Sequence, residues 1–191
     1  LIHGGCWRAQ YGLAPLGRFA ETLAALGIAV WSLEYRRLGN GGGWPNTFLD
    51  VAAGADFLRT LATQYALDLS RVVAVGHSAG GHLALWLAAR HRLPATSPLA
   101  TPNPLALTGV VSLAGIPDLV DAAQRHICGE AVPELMNGSA QAVPDHYAAA
   151  SPSAHLPLGV PQHLIIGTLD QAVQVEHNAA YVEAARRLGD E

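Results

Sequence analysis

An apolar run and a helical pattern meet at residues 75–82, which read Val75-Gly76-His77-Ser78-Ala79-Gly80-Gly81-His82. The order Gly-x-Ser-x-Gly places one serine between two glycines. Residues 71–75 (RVVAV) predict a buried strand before it, and residues 79–92 predict a helix after it. A serine on a sharp turn between strand and helix is typical of a nucleophile elbow. The stretch therefore predicts that Ser78 is a nucleophile, with an ordinary turn serine as the alternative.

The alternation of strand and helix continues on both sides of this elbow. Strand patterns lie at residues 28–35, 71–75, 108–114 and 161–167, and helix patterns at residues 14–26, 46–66, 79–92 and 175–188. Such alternation predicts an α/β fold with a mostly parallel central sheet and helices on both faces, a three-layer sandwich. We expect one domain over residues 1–191, in which the irregular residues 117–157 form a lid or cap insertion.

Composition narrows the classes of function. Half of the 191 residues are hydrophobic, 14% are charged and the net charge is −4, so the chain is globular and has no basic stripe for nucleic acid. No apolar run reaches the ~18 residues of a membrane span. Cys6 and Cys128 do not make a disulfide framework, which favours a reducing compartment and predicts a cytoplasmic location. No histidine pair has zinc-site spacing, so neither a metal nor another cofactor is expected.

A serine nucleophile that attacks a carbonyl needs N–H donors for the oxyanion that forms. The residue after the nucleophile, Ala79, supplies one of them. The chain opens with the stretch HGGCW at residues 3–7, where glycine lets backbone amides approach the site, and we expect Gly5 and Cys6 to supply the others. A plain Gly-Gly turn is the alternative. Trp7 and Trp44 are candidates for an aromatic wall that contacts substrate, with core packing as the alternative for both.

The acid of such a site follows the nucleophile at the end of a later strand. Asp170 has this position and is the expected acid, whereas Asp118, after the preceding strand, is expected to have a structural hydrogen-bonding role. The base is a histidine after the acid, and only His177 follows Asp170. We expect His177 at the surface or pocket rim, His82 packed within its helix, and the base beyond Glu191.

These stretches together resemble the α/β-hydrolase fold, and within it the esterases and lipases related to hormone-sensitive lipase and kynurenine formamidase. HGGCW at 3–7 resembles the formamidase-like His-Gly-Gly-x-Trp, and GHSAGGHLA at 76–84 resembles the elbow of this group. Further similarities are Glu34-Tyr35-Arg36, Trp44-Pro45 with Asp50, and Ala150-Ser151-Pro152. The resemblance implies Ser78 as nucleophile, Asp170 as acid, and oxyanion amides at Gly5, Cys6 and Ala79.

The resemblance also implies strands before residue 1 and a last strand with a histidine loop after residue 191, so we expect a chain that is truncated at both ends and poorly active. The implied activity is hydrolysis of small or medium acyl or aryl carboxylic esters through an acyl-serine. An arylformamidase-type amide hydrolase is one alternative, and a catalytically inactive binding module of the same fold is another. The expected partner is a small-molecule ester or amide.

Overall fold

The central sheet of the computed structural model, which describes residues 1–190, consists of parallel strands. They lie in the order β1 (Val73–His77), β2 (Gly109–Leu113) and β3 (Gln162–Ile165). Single parallel bridges continue the sheet beyond β1, first to Ile2 and then to Leu33. The predicted parallel α/β architecture is confirmed.

Helices precede, separate and follow these strands. Residues 1–190 contain α1 (Gly17–Ala25), α2 (Asn46–Asp56), α3 (Leu58–Leu61), α4 (Ala79–Ala89), α5 (Leu119–Gln124), α6 (Ala131–Met136), α7 (Pro144–Ala150) and α8 (Val175–Arg187). Short 3-10 turns lie at Ala14–Leu16, Arg90–Arg92 and Pro152–His155. The helix patterns at residues 14–26, 79–92 and 175–188 therefore end within a few residues of their predicted bounds.

Two predicted elements differ from the structure. The strand expected at residues 28–35 is an extended segment with a single bridge, from Leu33 to Ile2, where the N–H of Leu33 donates to the carbonyl of Leu1 (2.9 Å). The helix expected at residues 46–66 is divided at Phe57 into α2 and α3.

The predicted lid segment, residues 117–157, contains α5, α6 and α7 and contributes to the same buried cluster as α4 and the strands. Leu135 and Met136 are fully buried, and the indole N–H of Trp86 in α4 donates to the carbonyl of Ala149 (3.0 Å). The segment is thus packed into the core, and its function as a lid stays a prediction.

Cys6 and Cys128 form a disulfide across 122 residues of chain, with their Cα atoms 5.6 Å apart. The prediction that these two cysteines make no disulfide framework is wrong, because the fold brings together residues whose spacing carries no pairing signal. Disulfides are rare in reducing compartments. The cysteine argument for a cytoplasmic location therefore no longer holds, and that location stays a prediction. Within residues 1–190, no helix has both the length and the apolar character needed to cross a membrane.

Candidate active site

Ser78 occupies the turn between β1 and α4 in a conformation that non-glycine residues rarely adopt, with φ 53° and ψ −121°. The flanking glycines allow strand and helix to pack this closely. A Cβ atom on Gly76 would lie 2.0 Å from the carbonyl oxygen of Gly80, and one on Gly80 would lie 2.2 Å from that of Ile2. Strained backbone of this kind clusters at functional sites, where the surrounding packing maintains it. The geometry is that of the predicted elbow.

The HGGCW loop lies directly against this elbow. A Cβ atom on Gly4 would be 2.6 Å from the carbonyl oxygen of His77 and 3.1 Å from the Cβ of Ser78, so only glycine fits there. Gly5 has φ +109° and Cys6 has φ +50°. The structure thus brings the loop from the start of the chain to the serine, as the sequence analysis expects.

None of the predicted oxyanion donors, the backbone amides of Gly5, Cys6 and Ala79, donates a hydrogen bond to any group within residues 1–190. Their binding of an oxyanion stays a prediction. Ala79 opens α4, an eleven-residue helix whose N-terminus carries partial positive charge. Unpaired amides next to a serine hydroxyl are the donors that stabilise an oxyanion during acyl transfer.

Hydrogen bonds and ring stacking hold His3, the residue that precedes the two glycines of the loop. The buried imidazole stacks on the ring of Tyr35 with centroids 4.5 Å apart, and its Nε2 bonds to Oε1 of Glu34 (2.8 Å). The hydroxyl of Tyr35 donates to the carbonyl of His3 (2.8 Å), and burial raises the pKa of this hydroxyl well above its usual range. Sequence reasoning noted Glu34-Tyr35-Arg36 as a similarity and assigned it no role. The structure assigns Glu34 and Tyr35 to the support of the loop.

Asp170 follows β3 at the carboxyl edge of the sheet, the edge at which β1 delivers Ser78. Its Oδ1 accepts hydrogen bonds from the amides of Val173 and Ala172 (both 2.9 Å), and these donors lower the pKa of the carboxyl. The carboxylate is therefore ionised at neutral pH. Within residues 1–190, no histidine side chain hydrogen-bonds to Asp170 or to Ser78.

The rival carboxylate, Asp118, caps α5. Its Oδ1 accepts from the amides of Val120 (2.8 Å) and Asp121 (3.0 Å), and its Oδ2 accepts from the hydroxyl of Ser153 (2.8 Å). Both oxygens are engaged, and the expected structural role is confirmed.

His177 is buried, so the expectation of a surface or rim position is wrong. The helix α8 turns this side chain toward α5, where Nδ1 lies 2.5 Å from Oδ2 of Asp121. Burial by itself would raise the pKa of the Asp121 carboxyl, but the hydrogen bonds from His177 and Arg125 outweigh it and lower that pKa. The buried imidazole is engaged by the half-buried carboxylate of Asp121 and makes no hydrogen bond to Ser78.

His82 is a packed helix residue, as expected. It is fully buried, its Nε2 donates to the carbonyl of Ala150 (3.0 Å), and its ring meets Trp7 and Phe48 edge to face. Burial lowers its pKa to about 4, although the bond to Ala150 acts in the opposite direction. The lowered pKa makes this imidazole a weak base, and its ring is held in the core by Ala150 with no hydrogen bond to the hydroxyl of Ser78, so His82 is not placed to be the base.

The two tryptophans proposed as a substrate wall have different surroundings. Trp7 is 0% exposed and packs inside the core, so the expectation of substrate contact is wrong for this residue. Its position in the loop suggested a pocket wall, but its indole packs edge to face on the buried ring of His82, with centroids 5.3 Å apart. Trp44 is half-buried and stacks on His146 of α7 with centroids 4.3 Å apart, and its contact with substrate stays a prediction.

Comparison with known proteins adds to this geometry. The family model BD-FAE matches residues 1–184. A truncated form of a carbohydrate esterase from gut microbiota is similar with a TM-score of 0.82 and 21% identity, over 100% of this chain and 73% of that chain. A bifunctional GH43-CE protein of Bacteroides eggerthii has a TM-score of 0.79 and 25% identity, over 98% of this chain and 29% of that one.

A third similar structure is Thermogutta terrifontis esterase 2 phosphoramylated by tabun, with a TM-score of 0.78 and 21% identity over 100% of this chain and 67% of that one. No curated protein matches the chain. The structural similarities establish the α/β-hydrolase fold.

Proposed function

The chain belongs to the BD-FAE family over residues 1–184, and from this premise we propose that it is a serine hydrolase that cleaves carboxylic esters. One observation carries the proposal: a strained serine on an elbow touches a glycine loop whose amides are unpaired. Free donors at this place have no structural use, whereas an acyl-transfer site requires them.

In the proposed reaction the hydroxyl of Ser78 attacks the ester carbonyl carbon while a base takes its proton. The carbonyl oxygen becomes an oxyanion held by the amides of Gly5, Cys6 and Ala79. The intermediate collapses to an acyl-serine, and the alcohol leaves with the proton returned by the base. Water then attacks the acyl group, and the carboxylic acid is released as Ser78 recovers its proton.

Asp170 orients the base in this proposal. The side chains of His82 and His177 are engaged elsewhere, so we assign the base to a histidine outside residues 1–190. Residues 1–191 expressed alone are then expected to hydrolyse esters slowly, with the residual catalysis of an oxyanion hole that lacks its base. Turnover by this fragment at the rate of the protein encoded by the whole gene (hereafter the gene product) would contradict the assignment.

The substrates we propose are esters of short acyl groups, including acylated carbohydrates. The gut-microbiota structure similar to this chain is a carbohydrate esterase, which supports carbohydrate esters. Burial of Trp7 removes one side of the expected aromatic wall, which weakens the case for large aryl groups.

The test is hydrolysis of p-nitrophenyl acetate by the gene product and by Ser78→Ala. We expect this variant to lower kcat by a factor of about 10⁴ or more, because it removes the atom that forms the covalent bond. Ser70→Ala, in the exposed turn before β1, is the matched control and should keep the wild-type rate. Unchanged turnover by a folded Ser78→Ala protein would refute the proposal.

An arylformamidase-type amide hydrolase is the second candidate, favoured by the stretch HGGCW at residues 3–7. Comparing kcat/KM for N-formylkynurenine and p-nitrophenyl acetate separates the two. A higher value for the formamide would replace the ester assignment. A folded gene product that hydrolyses neither compound would instead indicate an inactive binding module.

A further inference from the structure

We infer that the disulfide between Cys6 and Cys128 positions the oxyanion hole, so that the thiol redox state controls the rate of ester hydrolysis. The inference rests on the proposed function, because Cys6 matters here through its backbone amide. Both cysteines are then positioning residues that act through the amides beside Ser78.

The first support is the backbone around Cys6. Three consecutive residues, Gly5, Cys6 and Trp7, have positive φ values of 109°, 50° and 53°. L-residues other than glycine adopt this region only when the surrounding structure holds them there. Trp7 is held by its buried indole and by a hydrogen bond from the amide of Leu38 to its carbonyl (2.8 Å). For Cys6 the restraints are the disulfide and a turn hydrogen bond from the amide of Arg8 to the carbonyl of Gly5 (2.9 Å), and only the disulfide holds the Cys6 side chain.

The second support is the fixed position of Cys128, at the other end of the disulfide. Cys128 lies in the turn between α5 and α6, next to Ile127, whose side chain is buried. The helix α6 that follows is fixed to the core by two fully buried residues, Leu135 and Met136. The disulfide therefore joins the glycine loop to a packed element distant in sequence.

Further contacts join the same two regions. Arg8 pairs with Glu134 through two hydrogen bonds of 3.1 and 3.2 Å, and the amide of Trp44 donates to the carbonyl of Leu135 (2.7 Å). The Arg8–Glu134 pair is partly exposed, and such pairs contribute little restraint in water. The disulfide is the covalent link that fixes how far Cys6 lies from α6.

The consequence for catalysis follows from the distance that an oxyanion donor must keep. A donor acts when it lies about 2.7–3.1 Å from the charged oxygen, and losing one donor costs roughly 10²–10³ in kcat. Once the disulfide is reduced, the turn bond from Arg8 to Gly5 is the remaining restraint on Cys6, and we expect the backbone to relax toward negative φ, which turns the Cys6 N–H away from the oxyanion. Reduction of the protein disulfide consumes a dithiol reagent. The two thiols of the reagent become a disulfide, and Cys6 and Cys128 each gain one hydrogen. Both cysteines are half-buried, so a small dithiol reaches them.

The test begins with the gene product purified without reductant. Non-reducing peptide mapping should recover the peptides of Cys6 and Cys128 as one linked species. Treatment with dithiothreitol should then lower kcat for p-nitrophenyl acetate at least 10-fold at 25 °C, with KM changed less than 2-fold, and reoxidation should restore it. Cys128→Ser should have the low kcat with or without dithiothreitol.

A matched double variant separates positioning from general stabilisation. Cys6→Gly combined with Cys128→Ser lacks the bond, but glycine reaches positive φ without strain. We expect its kcat to exceed that of Cys128→Ser and to be insensitive to dithiothreitol. If the disulfide only stabilised the fold, both variants would have a lower Tm and an unchanged kcat at 25 °C, which would overturn the inference.

The remaining outcomes are also decisive. Failure to recover the linked peptides overturns the inference, as does equal kcat for the oxidised and reduced protein while turnover still depends on Ser78. If the oxidised protein shows no turnover that depends on Ser78, the proposed function fails, and the inference fails with it.

Discussion

The candidate active site depends on the identity of individual residues. Replacing Gly4 is the simplest test of whether the opening loop takes part in the reaction. The Cα of Gly4 faces the carbonyl of His77 and the Cβ of Ser78, so a methyl group there has no space. The contact is with backbone, which cannot move aside without moving the elbow. The loop must therefore shift away from the serine if residue 4 gains a side chain.

We predict that Gly4→Ala lowers kcat for a short ester by about 10²-fold, since a displacement of about 1 Å has an effect of that size on a catalytic group. Gly17→Ala is the control, because an added Cβ at Gly17 meets no atom within 4 Å. Steady-state kinetics of both variants, with circular dichroism to check folding, measures the effect. A Gly4→Ala enzyme with the wild-type kcat would show that the loop takes no part in the reaction.

His82 gives a prediction about pH and stability. Its pKa is about 4 in the folded protein and about 6.5 in the unfolded chain. Above pH 6.5 both states are neutral and the full stability is present. As the pH falls from 6.5 toward 4, only the unfolded chain binds the proton, so the free energy of unfolding decreases, by about 2 kcal/mol at pH 5.

Urea unfolding at pH 7 and pH 5 measures this contribution. His82→Gln, which keeps a donor for the carbonyl of Ala150, should reduce the difference between the two pH values by about 2 kcal/mol. His126→Gln, at an exposed histidine, should leave the difference unchanged. An equal pH dependence for His82→Gln and wild type would contradict the burial argument.

At the scale of elements, the ends of α2 and α4 meet at one carboxylate. Asp56 accepts two hydrogen bonds from the guanidinium of Arg90 (3.0 and 2.6 Å) and one from the amide of Leu105 (2.8 Å). Arg90 is buried, so its charge depends on this partner. The carboxylate also joins the loop before β2 to both helices.

We predict that Asp56→Ala lowers the free energy of unfolding by about 3 kcal/mol, because it leaves a buried guanidinium unpaired. Glu183→Ala, which breaks an exposed pair with Arg187 on α8, is the control and should cause no measurable change. Chemical denaturation of the two variants measures the difference. Equal stabilities for both would show that Arg90 does not need its partner.

Predictability from sequence also depends on the element. The elbow, α4 and β2 were predictable because a Gly-x-Ser-x-Gly turn and continuous apolar runs are local signals. The single bridge at Leu33 was not predictable, since strand pairing depends on which backbone segment the fold places alongside. The disulfide and the pair of His177 with Asp121 were missed for the same reason: each joins residues that only the tertiary fold brings together.

At the scale of the whole molecule, the candidate site is assembled from distant parts of the chain. The opening loop packs against the elbow after β1, and the turn after β3 lies at the same carboxyl edge of the sheet, where α/β proteins bind their ligands. The order of motifs predicted which residues lie at this edge. It did not predict that Trp7 packs in the core or that Cys6 is covalently joined to Cys128 in the turn before α6, because these contacts follow from packing across the whole fold.

The geometry of the oxyanion hole is the central claim, and the crystal structure of the gene product after reaction with a fluorophosphonate tests it most directly. We predict a phosphonyl group on Oγ of Ser78, with its oxygen about 3 Å from the amides of Cys6 and Ala79. A protein that forms no adduct at Ser78, or an adduct whose oxygen points away from both amides, would contradict it.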